Sequence, residues 1–352
     1  MATKQAPGLG IDIGSQTVKL CEVSRDVAGP HVTAIAVKPI KTYGPDDPDA
    51  DDVHRIAGIV RSAIEESGAR AEDAVVAVSG PSVVIRYIEL PKMELAEARE
   101  AMRFEADQHI PFDSSDVMLD LHIQEGEAAS DPAKMRAILV AAKTDVVNQC
   151  MAVAESSGAR LSAIDVESFA LVNAFEATCG EVPEGEVVAL VHMGAMSTAI
   201  NIVRGGRPQF SRELSVGGSA ITDAVAKKLG CPKQEAELRK KTDGDIEGDD
   251  EVALAMRSVL EDLVSELRLS FDYYENQSMD GGIDVVRISG GTSRLANVTG
   301  YLTNALRAPV QQWDVLGGMS VDEGLVVPGE MEKLSPLMPV ALGLALRAEV
   351  TQ

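Results

Sequence analysis

Apolar residues run up to Asp12, break at Gly14-Ser15-Gln16-Thr17, and resume at Val18 and Leu20 ahead of Glu22. That pattern predicts two strands joined by a tight turn, and the alternation over 31–37 predicts a third. Gly14 is expected to make the turn by taking a positive φ without a Cβ clash. A Pro/Asp-rich loop at 44–52 leads into a helix over about 53–67, with Ile56, Ile59, Val60 and Ile64 on one side. A short buried strand at 74–78 then runs into Ser79-Gly80-Pro81. The order is strand, strand, strand, helix, strand.

The pattern then changes. Residues 83–90 read as a strand ended by Pro91, and 94–109 as a helix rich in Ala, Glu and Met. That helix stops at Ile110-Pro111-Phe112, because proline pushes the residue before it out of helix. Val117, Leu119, Leu121 and Ile123 alternate along a strand, 126–131 is a polar turn, 135–141 a strand and 145–157 a helix. Together these predict a small α+β unit between Gly80 and about Ala159. Residues 161–166 resume the first unit, and a helix opens at Glu167.

The opening order recurs after a loop at 180–185. Strands are expected at 187–191, 199–203 and 209–214, with a Gly/Ser/Thr turn over 192–198. A repeated strand–turn–strand pattern is far more specific than either copy. Gly217-Gly218 precedes a helix at 219–229, a charged helix follows at 234–241, and an acidic loop at 244–250 leads to the longest helix, 251–278. Val252, Met256, Val259, Leu260, Leu263, Leu267 and Phe271 stripe one face of it, which reads as core. A strand at 285–288 ends in Ser289-Gly290-Gly291-Thr292, followed by helices near 298–306 and 338–347.

Composition narrows the function. The chain has 352 residues, enough for more than one domain, and a net charge of −23. That charge argues against binding nucleic acid or anionic lipid through a broad basic surface. Aromatics are only 3%, so Ala, Val, Leu and Ile must fill the cores. The scattered Cys21, Cys150, Cys179 and Cys231 form no C-x-x-C pair and fit a reduced cytosol. The short polar start does not read as a signal peptide, and no apolar run is of membrane-spanning length.

The candidate chemistry lies at the turns. Backbone N–H groups of Gly14, Ser15, Gln16 and Thr17 form a concave anion site. Lys19 can place a point charge on a phosphate, and Asp12 can hold Mg²⁺ through water. Gly194, Ala195, Ser197 and Thr198 offer a second such tip, so two hairpins facing across a cleft would clamp a polyphosphate. Gly217 and Gly218, with the turn Gly290-Gly291-Thr292, would let backbone approach a purine. Glu237 and Lys240, three apart on one helical face, would frame ribose and base.

In this order and spacing the motifs resemble those of the actin/Hsp70/sugar-kinase superfamily, over nearly the whole chain. Asp12-x-Gly14 with Lys19 looks like its first phosphate motif and Met193-Gly194-Ala195 with Ser197-Thr198 its second. Glu167 with Ala170, and Ala341-Leu342-Gly343-Leu344-Ala345, look like its connecting motifs. Ser289-Gly290-Gly291 is similar to its adenosine motif. A closer resemblance is to the PilM family of pilus-assembly proteins, related to FtsA. It is carried by Phe104-Glu105-Ala106-Asp107-Gln108-His109-Ile110-Pro111-Phe112, by 117–123, and by Asp165-Val166-Glu167-Ser168-Phe169-Ala170-Leu171.

The resemblance implies a two-lobed, duplicated ribonuclease H-like α/β fold with a small α+β subdomain inserted. The first lobe would comprise 8–80, 160–186 and 330–352, the insertion 81–159 and the second lobe 187–329. It implies ATP or ADP with Mg²⁺ as ligands. It also implies a cytoplasmic scaffold at the inner membrane that binds the short N-terminal segment of a PilN-like membrane protein. That segment is expected between the 94–109 helix and the first subdomain. Other inner-membrane and motor components of the pilus machine, and a homo-oligomer, are further expected partners; nucleic acid and direct membrane insertion are not. In one place the chain departs from the superfamily: His192 stands where the second phosphate motif usually begins with Asp. A neutral imidazole does not replace that charge, so at most weak hydrolysis is expected, with Asp12 and Glu167 left to serve metal and water. Two alternatives stay open: an FtsA-like division or filament protein, although the chain's end reads as lacking an amphipathic anchor, and a sugar-kinase-type phosphotransferase.

Overall fold

The computed structural model describes residues 6–40, 52–124, 131–180, 182–278, 281–327 and 329–350. Of the loops expected at 44–52 and 126–131, all but their last residues, Asp52 and Asp131, lie outside them. The first strands, β1 (Gly8–Ile13), β2 (Thr17–Asp26) and β3 (Gly29–Pro39), form an antiparallel meander. After α1 (Asp52–Ser67), β4 (Asp73–Val78) returns parallel to β1. The next elements are β5 (Val83–Pro91), α2 (Leu95–Glu105), β6 (Val117–Ile123), β7 (Lys134–Lys143) and α3 (Thr144–Ser157). Then β8 (Arg160–Val166), parallel to β4, leads straight into α4 (Glu167–Thr178).

The meander then recurs as β9 (Val187–Met193), β10 (Thr198–Arg204) and β11 (Arg207–Leu214). Three helices follow, α5 (Gly218–Leu229), α6 (Lys233–Thr242) and α7 (Glu251–Gln277). The chain continues through β12 (Val285–Ser289), α8 (Val298–Leu306), β13 (Val310–Gln312), β14 (Ser320–Val321), α9 (Met331–Leu334) and α10 (Pro339–Val350). The sheet orders are β14-β3-β2-β1-β4-β8 and β11-β10-β9-β12-β13, and β5-β7-β6 in the inserted sheet. The two large sheets therefore repeat one plan: an antiparallel meander whose first strand also pairs with a parallel strand arriving after a helix. This is the duplication that the two Gly/Ser/Thr turns announce.

Each sheet has its own apolar layer, and a third core joins them. Ala170, Leu171 and Phe175 of α4 and Leu342, Leu344 and Ala345 of α10 share one buried cluster with Cys21 and Val75 of the first sheet and Leu190 and Ala199 of the second. Trp313 lies within it, fully buried, its ring edge-on to Phe175 at 6.2 Å. In a chain so poor in aromatics, small residues make the close crossings. A Cβ on Gly343 would sit 1.8 Å from the Ala170 carbonyl oxygen, and one on Gly10 2.0 Å from that of Ala341. Both expected connecting motifs therefore meet, one on each helix of the junction.

Several local expectations change. The helix after β5 ends at Glu105 and tightens to a 3-10 turn over Ala106–Gln108, because Pro111 already constrains the chain ahead of it. The helix at 145–157 lies between sheets rather than within the inserted unit: its Val153 and Ala154 enter the core of β1, β2 and α1. Ser320 and Val321, in the span expected for the second lobe, pair with β3 of the first sheet. The short β13, β14 and α9 have too few residues to show a period. In α7 the expected stripe is the buried face, and Asp250 caps it, accepting the Ala253 N–H at 2.8 Å. Asp250→Ala is expected to cost about 1 kcal/mol in urea denaturation; an unchanged midpoint would remove the cap from the account.

Candidate functional site

The two hairpin tips are built alike. Gly14 N–H donates to the Thr17 carbonyl at 3.1 Å, and Gly194 N–H to that of Ser197 at 2.9 Å. Gly14 does not use a left-handed conformation, contrary to expectation: its φ is not among the positive ones. The site is instead crowded: a Cβ would lie 3.1 Å from the Thr17 oxygen and 3.2 Å from Lys19 Nζ, tighter than most Cβ contacts. Asp12 and Lys19 face each other across the β1–β2 register and form a buried ion pair at 2.7 Å. Ser15 and Gln16 are exposed at the tip. On the second hairpin the Thr198 hydroxyl donates to the Val216 carbonyl at 2.7 Å and is fully buried, so that side chain holds the loop's shape.

Three glycine segments converge on the second tip. The Gly194 carbonyl accepts Gly218 N–H at 3.0 Å and the Thr292 hydroxyl at 2.8 Å, and the Ala195 carbonyl accepts Ser219 N–H at 2.7 Å. A Cβ on Gly217 would lie 2.7 Å from the Ala195 oxygen, and one on Gly290, at φ +87°, 2.4 Å from the Met193 oxygen. Gly291 is exposed, with nothing nearer to a Cβ than Leu337 at 3.9 Å. The buried Lys240 ammonium donates to the Gly218 carbonyl at 3.0 Å and the Thr222 hydroxyl at 2.8 Å and pairs with Glu237, which also meets Lys241 at 2.9 Å. The structure thus brings Gly194, Gly217, Gly218, Glu237, Lys240, Gly290 and Thr292 into one wall.

Electrostatics ties this wall to the first hairpin. His192, at the end of β9, is buried and its Nδ1 lies 3.0 Å from Ser289 Oγ. Burial first, and then the Lys19 charge, lower its pKa to about 4, against a smaller opposing pull from Asp12. The imidazole is neutral at physiological pH. Glu167, the first residue of α4, is pushed up to about 7, chiefly by loss of solvent, then by the Asp12 and Glu213 carboxylates; a hydrogen bond from Ser79 and the Lys19 charge work the other way. The ends of β1, β2, β9, β11 and α4 therefore share one electrostatic neighbourhood.

Glu213 and Ser79 were not legible in the sequence. Glu213 reaches from β11 to accept Gly80 N–H at 2.6 Å; its only signal is a charge near the end of an alternating strand. Asp12 supplies a hard oxygen donor at the first tip and fits Mg²⁺ held through water. Among the described residues no three His, Cys, Asp or Glu side chains converge as a metal cluster. No helix of the described residues is long and apolar enough to cross a membrane.

The sequence family described as "Type IV pilus assembly protein PilM" matches residues 10–349. The solved "PilM-PilN type IV pilus biogenesis complex" contains a chain 28% identical to this one, with a TM-score of 0.86 over 97% of this chain and 98% of that one. The ethanolamine utilization protein EutJ from Carboxydothermus hydrogenoformans is 18% identical, TM-score 0.55, over 97% and 89%. MreB5 of Spiroplasma citri bound to AMPPNP is 12% identical, TM-score 0.52, over 89% and 93%. The last two likenesses bear on the fold alone, which is the two-lobed actin-like one.

Proposed function

The chain belongs to the family of the type IV pilus assembly protein PilM, and from that membership we propose that it is an ATP- or ADP-binding scaffold whose nucleotide sits between the Gly14 and Gly194 hairpins. The observation that carries this reading is the convergence of Gly194, Gly217–Gly218 and Gly290 on one tip, electrostatically in reach of Asp12 and Lys19 on the other. With a nucleotide bound, Lys19, now paired with Asp12 at 2.7 Å, would hold a phosphate, and Asp12 would hold Mg²⁺ through water, an ion that would add countercharge to the phosphates. Gly290, Gly291 and Thr292 would lie along the purine, and Glu237 and Lys240 would bond the ribose and frame the base.

Turnover is slow on this reading. The neutral His192 brings no carboxylate to the second tip, and its Nδ1 is engaged with Ser289. Glu167, with a pKa of about 7, is suited to accept a proton from water. Nucleotide acts mainly by favouring the closed arrangement of the lobes. The partner is a PilN-like membrane protein, whose short cytoplasmic segment lies between α2 and the first lobe; the chain reaches the inner membrane through it.

Calorimetric titration tests the nucleotide reading. Wild-type protein is expected to bind ATP, and Gly291→Leu to weaken it at least tenfold while leaving stability within about 0.5 kcal/mol, because Gly291 is exposed and its added Cβ would meet only Leu337, at 3.9 Å. No ATP binding in the wild type, or equal binding in the variant, overturns it. Rapid metal-dependent phosphate release lost in Asp12→Ala would refute the scaffold role and favour a true ATPase.

A further inference from the structure

Two kinds of contact join the second lobe to the rest of the chain. The junction through α4 and α10 is apolar and continuous. The other runs along β11 and is polar. Gln124 Nε2 donates to the Pro208 carbonyl at 3.0 Å, Arg136 to Gln209 Oε1 at 3.1 Å, and Tyr87 OH meets Ser211 Oγ at 3.0 Å. Gly80 N–H donates to Glu213 at 2.6 Å. Tyr87 and Arg136 belong to the inserted sheet, Gln124 directly follows its β6, and Gly80 opens the insertion. Among the described residues this seam leaves buried polar atoms without protein partners: Gln124 Oε1, Asn201 Nδ2 and Glu213 Oε1. Asn201 is fully buried, its Oδ1 taken by Ser211 at 2.8 Å. Unpaired buried groups penalise the joined state, whereas a permanent contact is apolar or fully bonded. One end of the seam, Gly80, is next to Ser79, which bonds Glu167 beside the hairpins.

We propose that the β11 seam is a reversible latch between the nucleotide cleft and the inserted sheet. When the lobes close on a ligand the seam closes with them, and when they part it opens, exposing the faces of β5, β7 and β11. The latch rests on the nucleotide reading above, because closure needs a ligand that bridges both hairpins.

Hydrogen exchange of the full chain, with and without ATP, tests it. Saturating ATP is expected to slow exchange about tenfold or more both at the 193–198 tip and in segments 79–91 and 207–214, by suppressing the open form. In Tyr87→Phe combined with Gln124→Ala, the tip is expected to keep its protection while 79–91 loses most of its own. By linkage, ATP should then bind about fivefold more weakly, the loss expected from two modest hydrogen bonds. Protection at the tip with none at 79–91 and 207–214 in the wild type overturns the latch and leaves the nucleotide reading intact. No protection at the tip overturns the nucleotide reading, and the latch falls with it. Equal affinity and equal protection in the double variant also overturn the latch.

Discussion

Gly343→Ala is expected to collapse the junction between the lobes, with a loss of more than about 4 kcal/mol and little folded protein at 37 °C. The substitution looks favourable locally, since alanine gains about 1 kcal/mol over glycine inside a helix such as α10. Packing decides the other way. The added methyl would sit 1.8 Å from the Ala170 carbonyl oxygen and 2.5 Å from its carbon, both rigid backbone of α4. Neither helix can retreat, because α10 is pressed against the first sheet at Gly10, where a Cβ would likewise meet the Ala341 oxygen at 2.0 Å. Urea denaturation of purified protein reads the effect. A variant as stable as the wild type would show that α4 and α10 are not in backbone contact.

Glu167→Gln is expected to stabilise the protein at pH 8 by up to about 3 kcal/mol and much less at pH 5. The folded carboxyl keeps its proton up to about pH 7, while the unfolded chain releases it near 4.5. Across that window folding takes up a proton, so wild-type stability falls as pH rises and levels off above pH 7. Glutamine keeps the polar contact with Ser79 and has no charge to bury. His192 pulls in the opposite direction: its unfolded imidazole gains a proton below about 6.5 and the folded one only near 4, so stability is lost as pH falls between them. Because His192 is the same in both proteins, its contribution cancels in the difference. Parallel pH profiles for the two would mean that Glu167 is not confined among Asp12 and Glu213. This effect is also the reason a stabilised variant is not evidence of improved function: the strain belongs to the site.

The fit between sequence and structure is uneven. The hairpins, the Gly-Gly turns and the long α7 were readable because each is set by neighbours in the chain: strand alternation, glycine where atoms crowd, a period near 3.6 with an aspartate cap. The wall residues were read from the repeat, the glycine pairs, a helical spacing and the motif resemblance, and the structure gathers Gly217, Gly218, Gly290 and Thr292 around Gly194. By contrast, periodicity assigned α3 to the inserted unit, though its apolar face serves the first sheet. The reason expected for Gly14 was a backbone conformation, whereas the structure shows a non-positive φ and close approaches from the Thr17 oxygen and Lys19.

The sequence by itself determined the two-fold plan of the chain, its membership in an actin-like pilus family, and the glycine and hydroxyl residues of both tips. All of these depend on local period and spacing. Tertiary structure alone decided that Glu213 crosses to Gly80, that Asp12 and Glu213 push on Glu167, that His192 is neutral, and that the inserted sheet is moored to β11 by polar contacts. Those outcomes arise where segments far apart in the chain exclude water together, and no pattern along the chain records which buried charge will face which.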